Sequence, residues 1–375
     1  MTPTQYIVGG AVRDVLLGND PKDLDYVWVG ATPEFLSSLG MSQVGADFPV
    51  FLDAVGNEHA LARTERKVGE GYKGFDVEFD SSVTLKDDLI RRDLTINAMA
   101  VLSHDWDQFI ETKDPECVFD LFGGLADLEL KTLRHVSDAF AEDPVRVLRT
   151  ARFAARYNFN IEPDTLHLMC ALTQSGELDH LVPERVWSEM EKAMSEPFPG
   201  DFFVPLADIG ALKVLMPELD YGVQTDANLT RVSVLKSVTK GFAALFANSL
   251  VSDIEKMCDR LKAPSEVRRL AVRTRKLVEL CSVELNSDAV VDTLEQMGCF
   301  QDPKDTWDVI HVCDFLIQNM MSGFTSRVHV IRKLQGPLRD VCFASLTDDQ
   351  QATLEGPAVG AAIRELRLKL VKDSL

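Results

Sequence analysis

The most constraining feature of the chain is a pair of glycines, Gly9 and Gly10, set between an apolar run, Tyr6-Ile7-Val8, and a helical stretch, Ala11 to Leu17. Asp23-Leu24-Asp25 then opens the next apolar, β-rich segment, Leu24 to Val29. The order predicted is strand, tight turn, helix, strand. Glycines at such a turn let backbone N–H groups approach an anion, and the helix N-terminus adds a favourable dipole. A triphosphate fits there, resting on Gly10 with Arg13 beside it. Taken alone, the pair matches neither the dinucleotide fingerprint nor the P-loop, and a plain turn explains it as well. Side chains on a strand alternate, so Asp23 and Asp25 share a face. Two carboxylates held that close repel, and a hard cation such as Mg²⁺, bridging to substrate phosphates, relieves them. The alternative is an exposed acidic turn. The phosphate turn just upstream favours a nucleotide-plus-metal site.

Further strands are expected at Pro49 to Leu52, His59 to Thr64 and Phe75 to Phe79, followed by a helical segment from Asp88 to Ala100. Beyond about Asp138 strand signals thin out, and prolines such as Pro144, Pro163, Pro183 and Pro264 fall where helices start or stop. The fold class is therefore α+β, a mixed head followed by an all-helical remainder. Boundaries are expected near 137 and 200, dividing the chain into 1–137, 138–200 and 201–375.

Two later segments carry chemistry. In Arg91-Arg92-Asp93-Leu94-Thr95-Ile96-Asn97 the arginines suit phosphate oxygens, while Asp93, Thr95 and Asn97 offer polar groups to a ribose. A helix N-terminus capped by Asp93 or Thr95 is the competing reading. In Glu142-Asp143-Pro144-Val145-Arg146, continuing to Arg156, helical spacing puts Arg146, Arg149, Arg152 and Arg156 within an arc of roughly 120°. Asp143 lies on the same side, so an acceptor and a guanidinium can meet the pairing edge of a base together, with Glu142 sharing the work. Asp143 also makes a good N-cap ahead of Pro144, and both roles can hold.

A net charge of −20 argues against a nucleic-acid partner unless cations cluster locally. They cluster at Arg146 to Arg156, at Arg268, Arg269, Arg273, Arg275 and Lys276, and at Arg364, Arg367, Lys369 and Lys372. Each surface either tracks a nucleic-acid backbone or is merely solvated. The seven cysteines are scattered with no C-x-x-C spacing, against a disulfide framework or structural zinc. No apolar stretch approaches a membrane span and no charged leader precedes an apolar core, so a cytoplasmic location without membrane contact is expected.

Jointly, GGAVRDVLLG (9–18), KDLDYVWVG (22–30), ALARTERK (60–67), DDLIRRDLTINAMA (87–100), FDLFGGLADL (119–128), LRHVSDAFAEDPVRVLRTARFAARY (133–157) and PERVWSEMEKAM (183–194) resemble the class II CCA-adding tRNA nucleotidyltransferases of gamma-proteobacterial type. LEGPAVGAAIREL (354–366) is similar to that family's last helix. The resemblance implies a polymerase-beta-like head, a helical neck, and body and tail helices that hold tRNA. It implies Gly10 and Arg13 at the triphosphate, Asp23 and Asp25 as catalytic ligands of two Mg²⁺ ions, Arg92 at the nucleotide and Asp93 at its ribose side. Glu142, Asp143 and Arg146 would select CTP and then ATP, assisted by Arg149 and Arg152. The implied reaction is addition or repair of the 3′-terminal C-C-A with release of pyrophosphate. A poly(A) polymerase, a C-C-only or A-only enzyme, and a non-catalytic tRNA-binding protein are the competing readings. Two departures stand out: the segment around Phe242 to Met257 lacks the His and His-Asp ligands of the phosphohydrolase domain found in many relatives, and Thr112 to Val118 is inserted ahead of Phe119. No phosphatase or phosphodiesterase activity is therefore expected. Oligomeric state stays open.

Overall fold

The computed structural model describes residues 2–44, 50–67, 75–78, 81–222, 231–300, 303–320 and 325–375. The chain forms two compact units, Met1–Val182 with Asp208–Val214, and Pro183–Ala207 with Leu215–Leu375.

The first unit opens with β1 (Thr4–Val8), α1 (Gly10–Leu16), β2 (Asp25–Val29), α2 (Pro33–Ser38), β3 (Ser42–Val44), β4 (Val50–Leu52) and β5 (Glu58–Leu61). The hairpin strands β6 (Thr64–Lys67) and β7 (Phe75–Glu78) follow, then α3 (Leu85–Ile90), β8 (Met99–Leu102), α4 (Trp106–Thr112), β9 (Val118–Asp120) and α5 (Gly124–Glu129). Seven strands make one mixed sheet in the order β3-β4-β5-β2-β1-β8-β9, antiparallel throughout except for the parallel β2–β5 pair. Alternation in β1 sends Ile7 to one face, against Val12 and Val15 of α1, Met99, Val101 and Phe109. Val8 goes to the other face, against Val27, Val83, Leu89 and Ala100. With both faces covered, the central strands read as continuous apolar runs.

The strands expected from the sequence are present, with the 59–64 segment divided between β5 and β6. Pro49 and Phe79 lie outside the described residues. The expected helix over 88–100 is corrected. Helix ends at Ile90, a 3₁₀ turn spans Thr95–Asn97, and Met99–Leu102 is a strand beside β1. Leu94, Ile96 and Ala98 to Val101 are all buried, and a short apolar run buried on every side has no periodicity to separate helix from strand. The 112–118 segment holds Lys113 in a left-handed conformation and a 3₁₀ turn, Pro115–Cys117, capped by Asp114, and is mostly exposed.

After β10 (Thr132–Leu133) come α6 (Val145–Tyr157), β11 (Asn160–Ile161) and α7 (Pro163–Gln174). The segment beyond 138 is thus not wholly helical: β11 pairs in parallel with β10. Glu162 caps α7 by accepting from the Thr165 N–H (3.0 Å), ahead of Pro163.

Among the described residues, the secondary structure of the second unit is α-helical apart from two 3₁₀ turns, Val232–Leu235 and Phe343–Ser345. Phe242, Ala243, Ala244, Leu245 and Phe246 form core in it, and Phe242 stacks on Trp187 with ring centroids 4.7 Å apart. The C-terminal helix Pro357–Lys372 is pinned by Arg364 to Asp292 (2.7 Å) and by Arg367 to Glu295 (3.3 Å), with the Arg367 guanidinium 3.8 Å from the Phe300 ring centre. Those two arginines, candidates for a nucleic-acid surface, hold helix to helix, while Lys369 and Lys372 remain exposed. Among the described residues, no helix is long and apolar enough to cross a membrane.

Candidate active site

The register of three strands assembles the site at one end of the sheet. Val8, the last residue of β1, pairs with Asp25, the first of β2, and Asp25 pairs in parallel with Glu58, the first of β5. The glycine turn that leaves β1 therefore sits beside two carboxylate-bearing strand starts, each about 5 Å from the next. Gly9 holds φ +72°, and its N–H donates to the Met99 carbonyl (2.9 Å). A side chain there would meet Arg92 Nη1 at 2.8 Å, so Arg92 lies across the turn. Gly10 begins α1.

A cleft of about 190 Å³ opens here, lined by Asp25, Glu58, His59, Arg63, Arg91 and Arg92 among others. Asp25, which lines it, and Asp23, two residues earlier, are exposed. Packing nonetheless raises the proton affinity of the Asp25 carboxyl, Arg92 opposes this, and Glu58 and Asp23 add to it. Carboxylates and guanidiniums lining one cleft suit a phosphate bridged by a cation. Among the described residues no three His, Cys, Asp or Glu side chains already converge on a metal position. The donor chemistry still fits Mg²⁺, which takes one or two carboxylates and completes its shell with water and substrate phosphate.

The basic side of the cleft is organised by a residue that the sequence did not single out. Asp88, fully buried, accepts from Arg91 Nη2 (2.7 Å) and from Arg92 Nη2 (3.1 Å). Burial raises its proton affinity, but the two guanidiniums outweigh that and hold it below the usual carboxylate range.

The other sequence-derived residues are drawn into a network behind the turn. Arg13 is 4% exposed, donates to Asp14 Oδ1 from Nε (3.0 Å) and Nη2 (2.9 Å), and reaches the Asn97 side chain through Nη1. Its guanidinium lies 5.2 Å from both the Phe153 and Tyr157 ring centres of α6. Asp14 also accepts from the Tyr157 hydroxyl (3.0 Å). Thr95 donates to Asp127 (2.6 Å) and Asn97 to Asp93 (3.0 Å), so the polar trio expected at a ribose is turned inward. Asp93 receives Arg149 from Nε (2.8 Å) and Nη2 (2.7 Å).

Ahead of α6, Glu142 ends a 3₁₀ turn, Asp138–Glu142, and Asp143 Oδ1 accepts from the Val145 N–H (3.2 Å) as a local cap. Arg146 donates to the carbonyls of Ala139 and Arg91, both at 2.7 Å. Arg152 is buried with its guanidinium 4.7 Å from the Phe153 ring centre. The arginine stripe thus packs on the head rather than lying open to water.

A polymerase-beta-like sheet that gathers a glycine turn, carboxylates and arginines at one end defines a nucleotidyltransferase. The poly(A) polymerase head-domain family model matches residues 5–134, and the model described as "Probable RNA and SrmB- binding site of polymerase A" matches 158–222. The chain is 42% identical to a CCA-adding enzyme of Marinobacter nauticus over 99% of its own length and 98% of the relative's. It is 40% identical to a multifunctional CCA protein of Methylococcus capsulatus, covering 98% of the chain and 94% of the relative. In fold it is similar to a CCA-adding enzyme solved with ATP, with a TM-score of 0.68 and 21% identity over 98% of this chain and 86% of that one. It is likewise similar to the Thermotoga maritima CCA-adding enzyme complexed with tRNA_CCA, with a TM-score of 0.66 and 22% identity over 98% and 87%. The chain belongs to the family of bacterial CCA-adding enzymes.

Proposed function

We propose that this CCA-adding enzyme seats CTP or ATP in the head cleft and directs the 3′-hydroxyl of tRNA at the α-phosphate, releasing pyrophosphate. The register Val8–Asp25–Glu58 carries the reading, because it sets the phosphate turn beside the carboxylates that a phosphoryl transfer requires. The triphosphate rests on Gly10 under Arg92, and Arg13 reaches it by exchanging Asp14 and Asn97 for phosphate oxygen. Asp23 and Asp25, with Glu58 alongside, hold two Mg²⁺ ions. When bound, the ions supply charge neutralisation and a more acidic attacking hydroxyl. Asp93 and Arg149 approach the nucleotide as a pair, and Arg152 backs the base.

Glu142, Asp143 and Arg146 read the pairing edge of the base. Acceptor and donor on one helix edge can match two different bases, which a fixed apolar pocket cannot do. The functional division is a nucleotidyltransferase head at 1–137, a base-reading neck at 138–200 and a tRNA-binding body and tail at 201–375, working in the cytoplasm. Full-length similarity to CCA-adding relatives favours this reading over the poly(A) polymerase that shares the head.

Replacing Asp25 by Ala tests it. The variant is expected to bind tRNA with unchanged affinity and to add no nucleotide. Surviving turnover overturns the assignment of the carboxylates.

A further inference from the structure

We propose that Asp88 is a positioning residue of the nucleotide cleft, holding Arg91 and Arg92 on the phosphate side and keeping Arg92 from pairing with Asp25. This rests on the reading that Asp25 holds a metal ion. Asp88 is fully buried, and a carboxylate taken out of water persists only with partners for its oxygens. One oxygen takes Arg91 Nη2 at 2.7 Å and Nε at 3.3 Å, and the other takes Arg92 Nη2 at 3.1 Å. Asp88 thus fixes the position of both guanidiniums, and Arg91 and Arg92 both line the cleft.

Arg92 is held at few points. Among the described residues, besides Asp88 it has a long contact from Nη1 to the Asn97 carbonyl (3.5 Å), and its Nε is buried with no hydrogen-bond partner there. It lies across Gly9, in the same cleft as Asp25 and Glu58. Released from Asp88, this guanidinium has those carboxylates as the next acceptors within the cleft, and an Arg–carboxylate pair there displaces the cation. Asp88 therefore does for the metal side what it does for the phosphate side: it keeps opposite charges apart until substrate and cation bridge them. Arg92 already bears on the Asp25 carboxyl electrostatically, which shows that the two are within reach of one another's field.

The test is Mn²⁺ titration of the free protein followed by electron paramagnetic resonance, without tRNA or nucleotide, with thermal unfolding recorded for every variant. Asp25→Asn is the control for the metal reading and is expected to remove the site. Asp88→Asn is expected to weaken Mn²⁺ binding by about fivefold or more, and Asp88→Asn with Arg92→Gln to restore it, since the displaced charge is gone. A loss that Arg92→Gln does not restore is structural and overturns the proposal, as does an unchanged affinity in Asp88→Asn. If Asp25→Asn leaves binding intact, the metal reading itself fails. Should Asp88→Asn not fold, the clasp is loosened from its other end. Arg92→Lys, a mobile point charge that cannot hold Asp88 in a planar fork, is then expected to weaken Mn²⁺ binding, while Arg92→Gln does not. Equal affinities in those two variants overturn the proposal.

Discussion

Arg149 donates to a single oxygen of Asp93 from two nitrogens, Nε at 2.8 Å and Nη2 at 2.7 Å, tying α6 to the segment that follows α3. Burial raises the proton affinity of Asp93, but Arg149, Asn97 and Arg146 outweigh it and hold the carboxyl far below its usual range. A depressed folded-state pKa stabilises the fold above the unfolded value, near 4, and that contribution is lost as pH falls below it. Asp93→Asn is expected to cost about 2 kcal/mol at pH 7, a value discounted for the partial exposure of Arg149. Urea unfolding between pH 3 and 7 checks both points: the variant should show a flatter acid limb than the native chain.

Asp25 shifts the other way. Its ionised form is disfavoured in the folded state, so Asp25 opposes folding at neutral pH. Asp25→Asn should therefore raise Tm at pH 7, on the order of 1 °C given its exposure, while turnover disappears. Calorimetry beside an addition assay separates this from a variant that is inactive because it is unfolded.

Tyr157 links α6 to Asp14, and its hydroxyl is pushed up to about 12, by burial first and by Asp14 against the opposing arginines. Its contribution to stability is intact below about pH 10 and declines above that, as pH rises toward the folded-state value. Tyr157→Phe is expected to cost about 1 to 2 kcal/mol at pH 7, seen as a lower urea midpoint with unchanged slope, and to remove this alkaline loss.

Gly9 combines a positive φ with the nearness of Arg92. Gly9→Ala should cost about 1 to 2 kcal/mol in backbone strain and displace Arg92. The expected kinetic result is a KM for CTP and ATP raised about tenfold or more, with tRNA affinity unchanged.

What was legible in the sequence is what local pattern determines. Gly9, Gly10 and the Asp23-x-Asp25 spacing carry their meaning within one strand and turn. Glu58 carries none until β5 is known to lie parallel to β2, a non-local pairing. Asp88 and Asp14 sit in helical stretches as ordinary acidic residues, and only burial beside arginines reveals their work. The 88–100 segment misled because an apolar run buried on all sides has no period to read. The spacing of Arg146, Arg149, Arg152 and Arg156 puts them on one stripe of α6. That the stripe packs on Phe153, Tyr157 and the head depends on tertiary contacts no spacing contains.

The central claim is that one cleft adds C, C and then A to tRNA without a nucleic-acid template. The direct measurement incubates the protein and Mg²⁺ with tRNA transcripts ending before C-C-A, supplying CTP and ATP separately and together, and sequences the 3′ ends. The account predicts C-C with CTP alone and a single further A with both, and loss of the C-to-A switch when Asp143 and Arg146 are replaced by Ala. A ragged oligo(A) tail, or no addition at all, contradicts it.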